Sequence, residues 1–426
     1  MELNPISKQV LDFVNETNQT LFLTGKAGTG KTTLLKYIRE HTHKQYAVVA
    51  PTGVAAINAG GTTIHSFFQF PFTPFLPQLM ADGTTKISKE NLPVLKYNSQ
   101  RLAIFRQLEL LVIDEVSMVR ADLLDQIDQT LRYTRRRLSQ PFGGVQVLLI
   151  GDMYQLPPVV QNEEWQLLSK IYASPFFFDS LVMKQFPPAY IELEKIYRQS
   201  DEVFISLLNK VRNNQMDQEA LAALNAHYKA SISDDIQKEN ITLTTHNRKA
   251  DEINQRNLAA IKAPEFIFKA VVEGVFPEKS YPVEPELRLR VGAKVMFLKN
   301  NTEKNYFNGK IGEVTFLEKD KIKVKCEDSA NEIEVPREKW TNVSYSVDKK
   351  SGHLSEDVLG TFDHFPLRLA WAITIHKSQG LTFDKLIIDA KEAFSAGQVY
   401  VALSRCKSLE GLILSSKIDA GSLSND

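Results

Sequence analysis

The chain has 426 residues, 43% of them hydrophobic and 24% charged, a globular composition too long for one core that excludes disordered and fibrous classes. Lys plus Arg and Asp plus Glu number 51 each, so bulk charge points to no polyanionic partner, although a basic groove can sit on a neutral protein. Cys326 and Cys406 stand in no metal-ligand spacing and read as reduced thiols; no long apolar run and no basic-then-apolar leader is found, so no membrane partner is expected.

Leu3, Ile6, Val10, Leu11 and Val14 recur at helical spacing over residues 3–18, with Asn4 and Pro5 supplying the cap and first turn. Thr20 to Thr24 reads as a buried strand; a loop with Gly25, Gly28 and Gly30 follows, and Leu34, Leu35 and Ile38 resume helical spacing. Strand–GxxxxGK[ST]–helix is the P-loop arrangement. Across Gly25, Ala27, Gly28, Thr29, Gly30, Lys31, Thr32 and Thr33, backbone N–H groups and a helix N-terminus converge on one point suited to phosphate. Lys31 is expected to reach the β- and γ-phosphates of ATP, and the Thr32 hydroxyl to bind Mg²⁺.

Tyr46 to Ala50 is a second strand, ending in Pro51, Thr52 and Gly53; the series predicts a parallel sheet with ligands at strand C-terminal ends. After Gly60 the pattern changes. Phe67, Phe68, Phe70, Phe72 and Phe75 alternate with Pro71, Pro74 and Pro77, and a polar segment runs to residue 98, which reads as an insertion. Its phenylalanines form a satellite core, or else one or two of them, with Phe67 the candidate, meet bases or wedge at a strand junction.

Leu108 to Ile113 is an apolar strand ending in Asp114 and Glu115, and Val145 to Ile150 is another, followed by Gly151, Asp152 and Gln155. The helix between them carries Arg132, Arg135, Arg136 and Arg137, either a solvated face or a phosphate contact. Ile241 to Thr245 is a strand leading through His246, Asn247 and Arg248 into a helix. Lys294 to Lys299, Ile311 to Phe316 and Lys321 to Cys326 alternate, which predicts a small antiparallel barrel inserted in a second α/β domain. Arg368 to His376, Leu386 to Asp389 and Leu412 to Leu414 are expected to complete the second sheet.

Phosphoryl transfer to water needs Mg²⁺, a positioned water and positive charge on the γ-phosphate oxygens. Asp114 is placed to hold Mg²⁺ directly or through water, Glu115 to polarise the attacking water, and Gln155 to contact the γ-phosphate. Spacing alone does not bring Arg198 and Arg405 to the nucleotide.

Taken in order, Gly25–Thr33, Ala50–Ala56, Gly61–Ser66, Val112–Met118, Gly151–Pro158, Leu193–Gln199, Thr374–Thr382 and Val399–Arg405 resemble the motif set of the petite-integration-frequency (PIF) family of superfamily-one helicases, related to RecD- and Dda-type enzymes. The resemblance implies an α/β fold of two RecA-like P-loop domains with parallel sheets. The first would span 1–63 and 99–180 with a wedge-like insertion at 64–98; the second would span 181–294 and 361–426 with a Src-homology-3-like β-barrel at 295–360. It also implies that Gln9 reads adenine, that Arg198 and Arg405 are arginine fingers across the cleft, and that Gly380 lies near the phosphates. Thr52, Gly53, Thr63, His65, Thr245, His246, Asn247, His376 and Lys377 would face single-stranded DNA.

The implied activity is ATP- and Mg²⁺-dependent 5′→3′ translocation on single-stranded DNA with unwinding at single-strand/duplex junctions, extending to G-quadruplexes and DNA–RNA hybrids, in replication, repair or telomere maintenance. The implied setting is a bacterial cytoplasm, beside the nucleoid, as a monomer in isolation and a dimer on DNA. The alternatives are a nucleic-acid-stimulated NTPase acting on RNA and a nucleotide-gated DNA-binding module that does not unwind.

Overall fold

A computed structural model describes residues 5–80, 85–87, 92, 97–199, 201–301, 303–304, 306–327, 329, 331–348, 353–389, 391 and 397–419. Much of the insertion expected at 64–98 (81–84, 88–91 and 93–96) therefore lies outside the described residues, as do Leu3, Asn4 and 420–426.

The first domain runs α1 (Pro5–Glu16), β1 (Leu21–Gly25), α2 (Lys31–His41), β2 (Tyr46–Ala50), α3 (Gly53–Ala59), β3 (Thr62–Thr63), α4 (Ile64–Phe68), α5 (Ser99–Gln107), β4 (Leu110–Ile113), α6 (Ala121–Thr134), β5 (Gln146–Ile150), α7 (Asn162–Leu168), α8 (Leu181–Gln185) and β6 (Ala189–Leu193). Its strands form a parallel sheet in the order β3-β2-β4-β5-β1-β6. Every residue of β4 and β5 is buried, as parallel strands covered on both faces require.

Because Leu21–Gly25 pairs with Ala189–Leu193, the first sheet extends to residue 193, past the boundary expected at 180. The phenylalanines depart from expectation too. Phe67, Phe68 and Phe70 join Ile64, Phe105, Ile113 and Leu124 in the main core, since α4 follows β3 directly and turns its apolar face inward. Phe67 is 1% exposed and cannot meet a base, which corrects its assignment to DNA. Arg132 pairs with Asp128 at 2.8 Å, and Arg135 donates to the carbonyls of Leu108 and Gly143 at 2.8 Å, so these two arginines bind their own fold while Arg136 and Arg137 are exposed.

The second domain supplies α9 (Glu202–Arg212), α10 (Gln218–Asn225), α11 (Asp234–Glu239), β7 (Ile241–Thr244) and α12 (Asn247–Ala260). Ten strands then intervene: β8 (Phe266–Lys269), β9 (Val271–Gly274), β10 (Glu286–Leu289), β11 (Lys294–Phe297), β12 (Ile311–Glu318), β13 (Lys321–Lys325), β14 (Ile333–Val335), β15 (Glu338–Val347), β16 (Leu354–His364) and β17 (Leu367–Leu369). β18 (Ala372–Thr374), β19 (Leu386–Ile388), α13 (Gln398–Leu403) and β20 (Leu412–Leu414) complete a parallel sheet in the order β18-β7-β19-β20.

The insertion is wider than 295–360, and among the described residues it is an open antiparallel sheet, β14-β13-β12-β11-β17, with β15-β16-β9 beside it. The stretch 368–376, expected to complete the second sheet, does so only from Ala372, because β17 pairs with β11 of the insertion and β18 with β7. Ala370 donates to the Lys294 carbonyl and the Trp371 carbonyl accepts from Thr242, both at 2.9 Å, so the chain crosses there from the insertion to the parallel sheet. The β15–β16 hairpin reaches back to the first domain. Tyr345 is 4% exposed within the first core, where its hydroxyl accepts from the Val48 N–H at 2.9 Å. Glu356 pairs with Arg39 at 3.3 Å, and the Leu354 N–H donates to Gln45 at 2.6 Å.

Candidate functional site

β1 ends at Gly25, and the loop to α2 turns on Gly28 (φ 84°) and Gly30 (φ 89°), conformations that favour glycine. Gly30 is the N-cap of α2 and offers no side chain, so the first N–H groups of that helix have no side-chain cap. The Lys31 ammonium donates to the carbonyls of Gly25 (2.5 Å) and Lys26 (3.0 Å), and Thr29 donates to Lys26 (2.9 Å). Thr32 and Thr33 are exposed on the first turn of α2, while Ala27 is buried.

Arg198 lies five residues beyond β6, on the segment joining the domains, and not across the cleft as expected. The Tyr197 N–H donates to the Gly28 carbonyl at 2.9 Å, and a Cβ at Gly28 would stand 2.4 Å from the Arg198 Cβ. Only glycine fits there. The Arg198 guanidinium donates to Gly380 (3.1 Å) and Ser404 (3.4 Å), both carbonyls of the second domain. Arg405, 1% exposed, follows α13 and donates to the Val401 carbonyl (2.9 Å) and the Ser404 hydroxyl (2.8 Å).

Burial pushes Arg405 down to about 9, with Arg198 beside it adding to the effect, and burial takes Arg198 down to about 10. Lys31 is also lowered by burial; Asp152 and Glu115 oppose that shift, while Arg198 and Arg405 add to it. Asp114, at the end of β4, is pushed up to about 7 by burial and by the neighbouring Glu115 charge. Glu115 is raised by burial, with Lys31 and Arg405 opposing. Its backbone sits at φ 52°, a strained conformation for a residue with a side chain. Gln155 is buried and donates to Asp152 at 3.3 Å. The structure thus gathers the P-loop, Glu115, Arg198 and Arg405 within electrostatic reach of Lys31, with Gly380 against Arg198. Gln9 is exposed on α1 and takes part in none of these bonds.

Sequence reasoning gave no role to Asp152, Tyr400 or Arg212, which meet beside Gln155. Asp152 and Tyr400 lie inside the quoted motifs, which was the available signal; Arg212 has none, being one more polar residue of an amphipathic helix.

The residues expected to face DNA form two groups. Ala50 pairs with Thr63, which brings Thr52, Gly53, Thr63 and His65 to the C-terminal ends of β2 and β3. Thr52 and Thr63 are also N-caps, accepting from Ala55 and Ser66 at 3.2 Å. Thr374 pairs with Thr244, which brings Thr245, His246, Asn247, His376 and Lys377 to the ends of β7 and β18. His246, Asn247 and Lys377 are exposed, whereas Thr245 is buried and bonds the His246 ring at 2.8 Å. Phe72, not Phe67, presents a ring. It is 75% exposed, stacks on His65 at 4.6 Å and carries the Lys279 ammonium 5.5 Å above it.

The PIF1-like helicase family profile matches residues 2–221. An ATP-dependent DNA helicase Pif1 of Bdellovibrio bacteriovorus is 32% identical over 97% of this chain and 88% of its own length. The crystal structure of Bacteroides sp Pif1 in complex with ADP-AlF4 overlays with a TM-score of 0.91 at 40% identity, covering 100% of this chain and 95% of that one. The same relative bound to ssDNA covers the same shares at 41% identity, yet overlays with a TM-score of only 0.66. No helix among the described residues is long and apolar enough to cross a membrane. With the motif order, the P-loop geometry and these likenesses in agreement, the chain belongs to the PIF1-like helicase family of ATP-dependent DNA helicases.

Proposed function

We propose that this helicase uses ATP closure of the cleft between its two domains to drive 5′→3′ movement along single-stranded DNA and to open duplex ahead of it. The observation that carries the reading is three desolvated cations, Lys31, Arg198 and Arg405, drawn from both domains and their linker to one P-loop. Such a site calls for a polyanion that touches both domains at once.

The residues fit magnesium triphosphate. The uncapped α2 N-terminus and Lys31 suit the β- and γ-phosphates, and Thr32 and Asp114 suit Mg²⁺. When bound, Mg²⁺ would neutralise charge on the phosphates. Glu115 then accepts the proton of the attacking water. Gln155 contacts the γ-phosphate end, and Arg198 and Arg405 stabilise charge that builds as the bond breaks; an arginine in this role is worth about 10³–10⁵ in rate.

Single-stranded DNA lies on the two groups of strand-end residues, Thr52, Gly53, Thr63 and His65 in the first domain and Thr245, His246, Asn247, His376 and Lys377 in the second. Alternating grip between them converts closure into movement. Junctions, G-quadruplexes and DNA–RNA hybrids are substrates on the same reading, and a single chain holds the complete ATP site. In this chain the β15–β16 hairpin is docked on the first domain through Tyr345, and the overall arrangement overlays better on the relative with ADP-AlF4 (TM-score 0.91) than on the one with ssDNA (0.66), which supports the reading that strand engagement is accompanied by a rearrangement. Forked substrates test polarity: unwinding with only a 5′ tail and none with only a 3′ tail is expected, and the opposite result overturns it.

A further inference from the structure

One buried carboxylate beside Gln155, within electrostatic reach of Lys31, is bonded from both domains. Asp152, at the end of β5, is 1% exposed. Its Oδ2 accepts from the Tyr400 hydroxyl at 3.4 Å and from the Gln155 amide at 3.3 Å. Its Oδ1 accepts from the Tyr154 N–H at 3.2 Å and the Arg212 guanidinium at 3.5 Å. The Tyr400 hydroxyl in turn accepts from the Ala27 N–H of the P-loop at 3.3 Å. A phenol has a single proton, so accepting from Ala27 and donating to Asp152 makes Tyr400 a directed bridge.

The surroundings tie this carboxylate to the second domain. Arg212, on α9, also meets Glu192 at 3.5 Å and lies 4.2 Å from the Tyr154 ring. α13, which carries Tyr400, begins at Gly397 (φ 75°), where a Cβ would stand 2.3 Å from the Gln155 carbonyl. No side chain can come between that helix and the residue facing the γ-phosphate. Ala27 and Leu156, both of the first domain, pack in the hydrophobic core of the second. The side-chain contacts to Asp152 all measure 3.3–3.5 Å, the outer edge of hydrogen bonding, where a shift of a few tenths of an ångström makes or breaks them.

We infer that Tyr400 and Arg212 are positioning residues that couple the two domains through Asp152, so that the state of the P-loop and Gln155 is transmitted to α13 and α9. The inference rests on the reading that this cleft hydrolyses ATP. Tyr400→Phe removes one hydroxyl and little else. It should leave the KM for ATP within about twofold while lowering DNA-stimulated kcat by about 2–12-fold, the range for one hydrogen bond. Arg212→Gln should do the same, and the double variant should lose less than the product of the single losses because both act through one carboxylate.

A second measurement needs no turnover. Hydrogen exchange of the α13 amides should slow when ADP-AlF4 is added to the wild type, and this protection should be lost in Tyr400→Phe. A KM that rises as kcat falls, fully multiplicative losses, or nucleotide protection of α13 that survives in Tyr400→Phe each overturn the coupling. An inactive wild type that still shows protection of α13 overturns the hydrolysis reading and leaves the coupling standing.

Discussion

Replacing Tyr345 with Phe tests whether the β15–β16 hairpin opposes strand engagement. β3 is only two residues long, so it leaves the Val48 N–H without a ladder partner, and the Tyr345 hydroxyl fills that place at 2.9 Å. Phenylalanine keeps the ring against Phe67, 5.5 Å away in an edge contact, and leaves a buried donor unsatisfied only while the hairpin is docked. Once undocked, water satisfies the donor, so the docked state alone is weakened, by about 1–3 kcal/mol or roughly 5–150-fold. Dyes on Cys at the exposed positions Lys36 and Asp357 report docking, and the native thiols Cys326 and Cys406 are buried. The docked fraction should fall and the affinity for single-stranded DNA should rise with it. Unchanged docking, or weaker DNA binding, refutes the reasoning.

Glu115→Gln should keep ATP binding and lose about 10²–10⁴ in DNA-stimulated turnover, measured by phosphate release and nucleotide titration. Full activity would remove Glu115 from its role. Burial and the neighbouring Glu115 charge hold Asp114 up at about 7, and an ion is held by the carboxylate form, so at limiting Mg²⁺ activity should rise with pH through that region. Saturating Mg²⁺ should move the rise to lower pH; a pH profile indifferent to Mg²⁺ would contradict Asp114 as a ligand. Phe72→Ala should leave the melting temperature unchanged and weaken single-strand binding, by up to about 3 kcal/mol if the ring stacks on one base. Phe67→Ala should do the reverse, lowering stability by about 3–5 kcal/mol, and the pair compared by thermal melting and DNA titration separates the two rings.

The P-loop and both parallel sheets were legible because their signals are local: a glycine spacing, apolar runs, acids at strand ends. Domain boundaries were less so. β6 looks like the start of a new unit in sequence, and only its pairing with β1 assigns it to the first sheet. The apolar run at 368–376 gave no hint of a crossover, since a strand in an antiparallel insertion and one in a buried parallel sheet are equally hydrophobic. Among the five phenylalanines periodicity could not separate core from surface; α4 turns Phe67 inward, and the proline-bounded turn leaves Phe72 on His65. The docked hairpin was out of reach. Tyr345 and Val48 are separated by 297 residues, and nothing local in either segment calls for the other.

The arginines explain why this site needs two domains. Arg198 and Arg405 are held chiefly by neutral acceptors, the carbonyls of Gly380, Ser404 and Val401 and the Ser404 hydroxyl, and both remain charged at neutral pH despite burial. Carbonyl dipoles offset part of the lost hydration of a guanidinium, but they supply no net charge. Glu115 and Asp152 are the carboxylates that act on both Lys31 and Arg405, and Asp152 is already shared with Arg212. On the proposed reading, a triphosphate brings negative charge to three desolvated cations at once, where it interacts more strongly than it would with the same groups in water. Since Lys31 belongs to one domain, Arg405 to the other and Arg198 to the segment between them, satisfying that charge requires the domains to stay together. Cleaving and releasing the γ-phosphate would remove part of that charge, so on the proposed reading the cations assigned to hydrolysis would also set how firmly the cleft is shut before and after it.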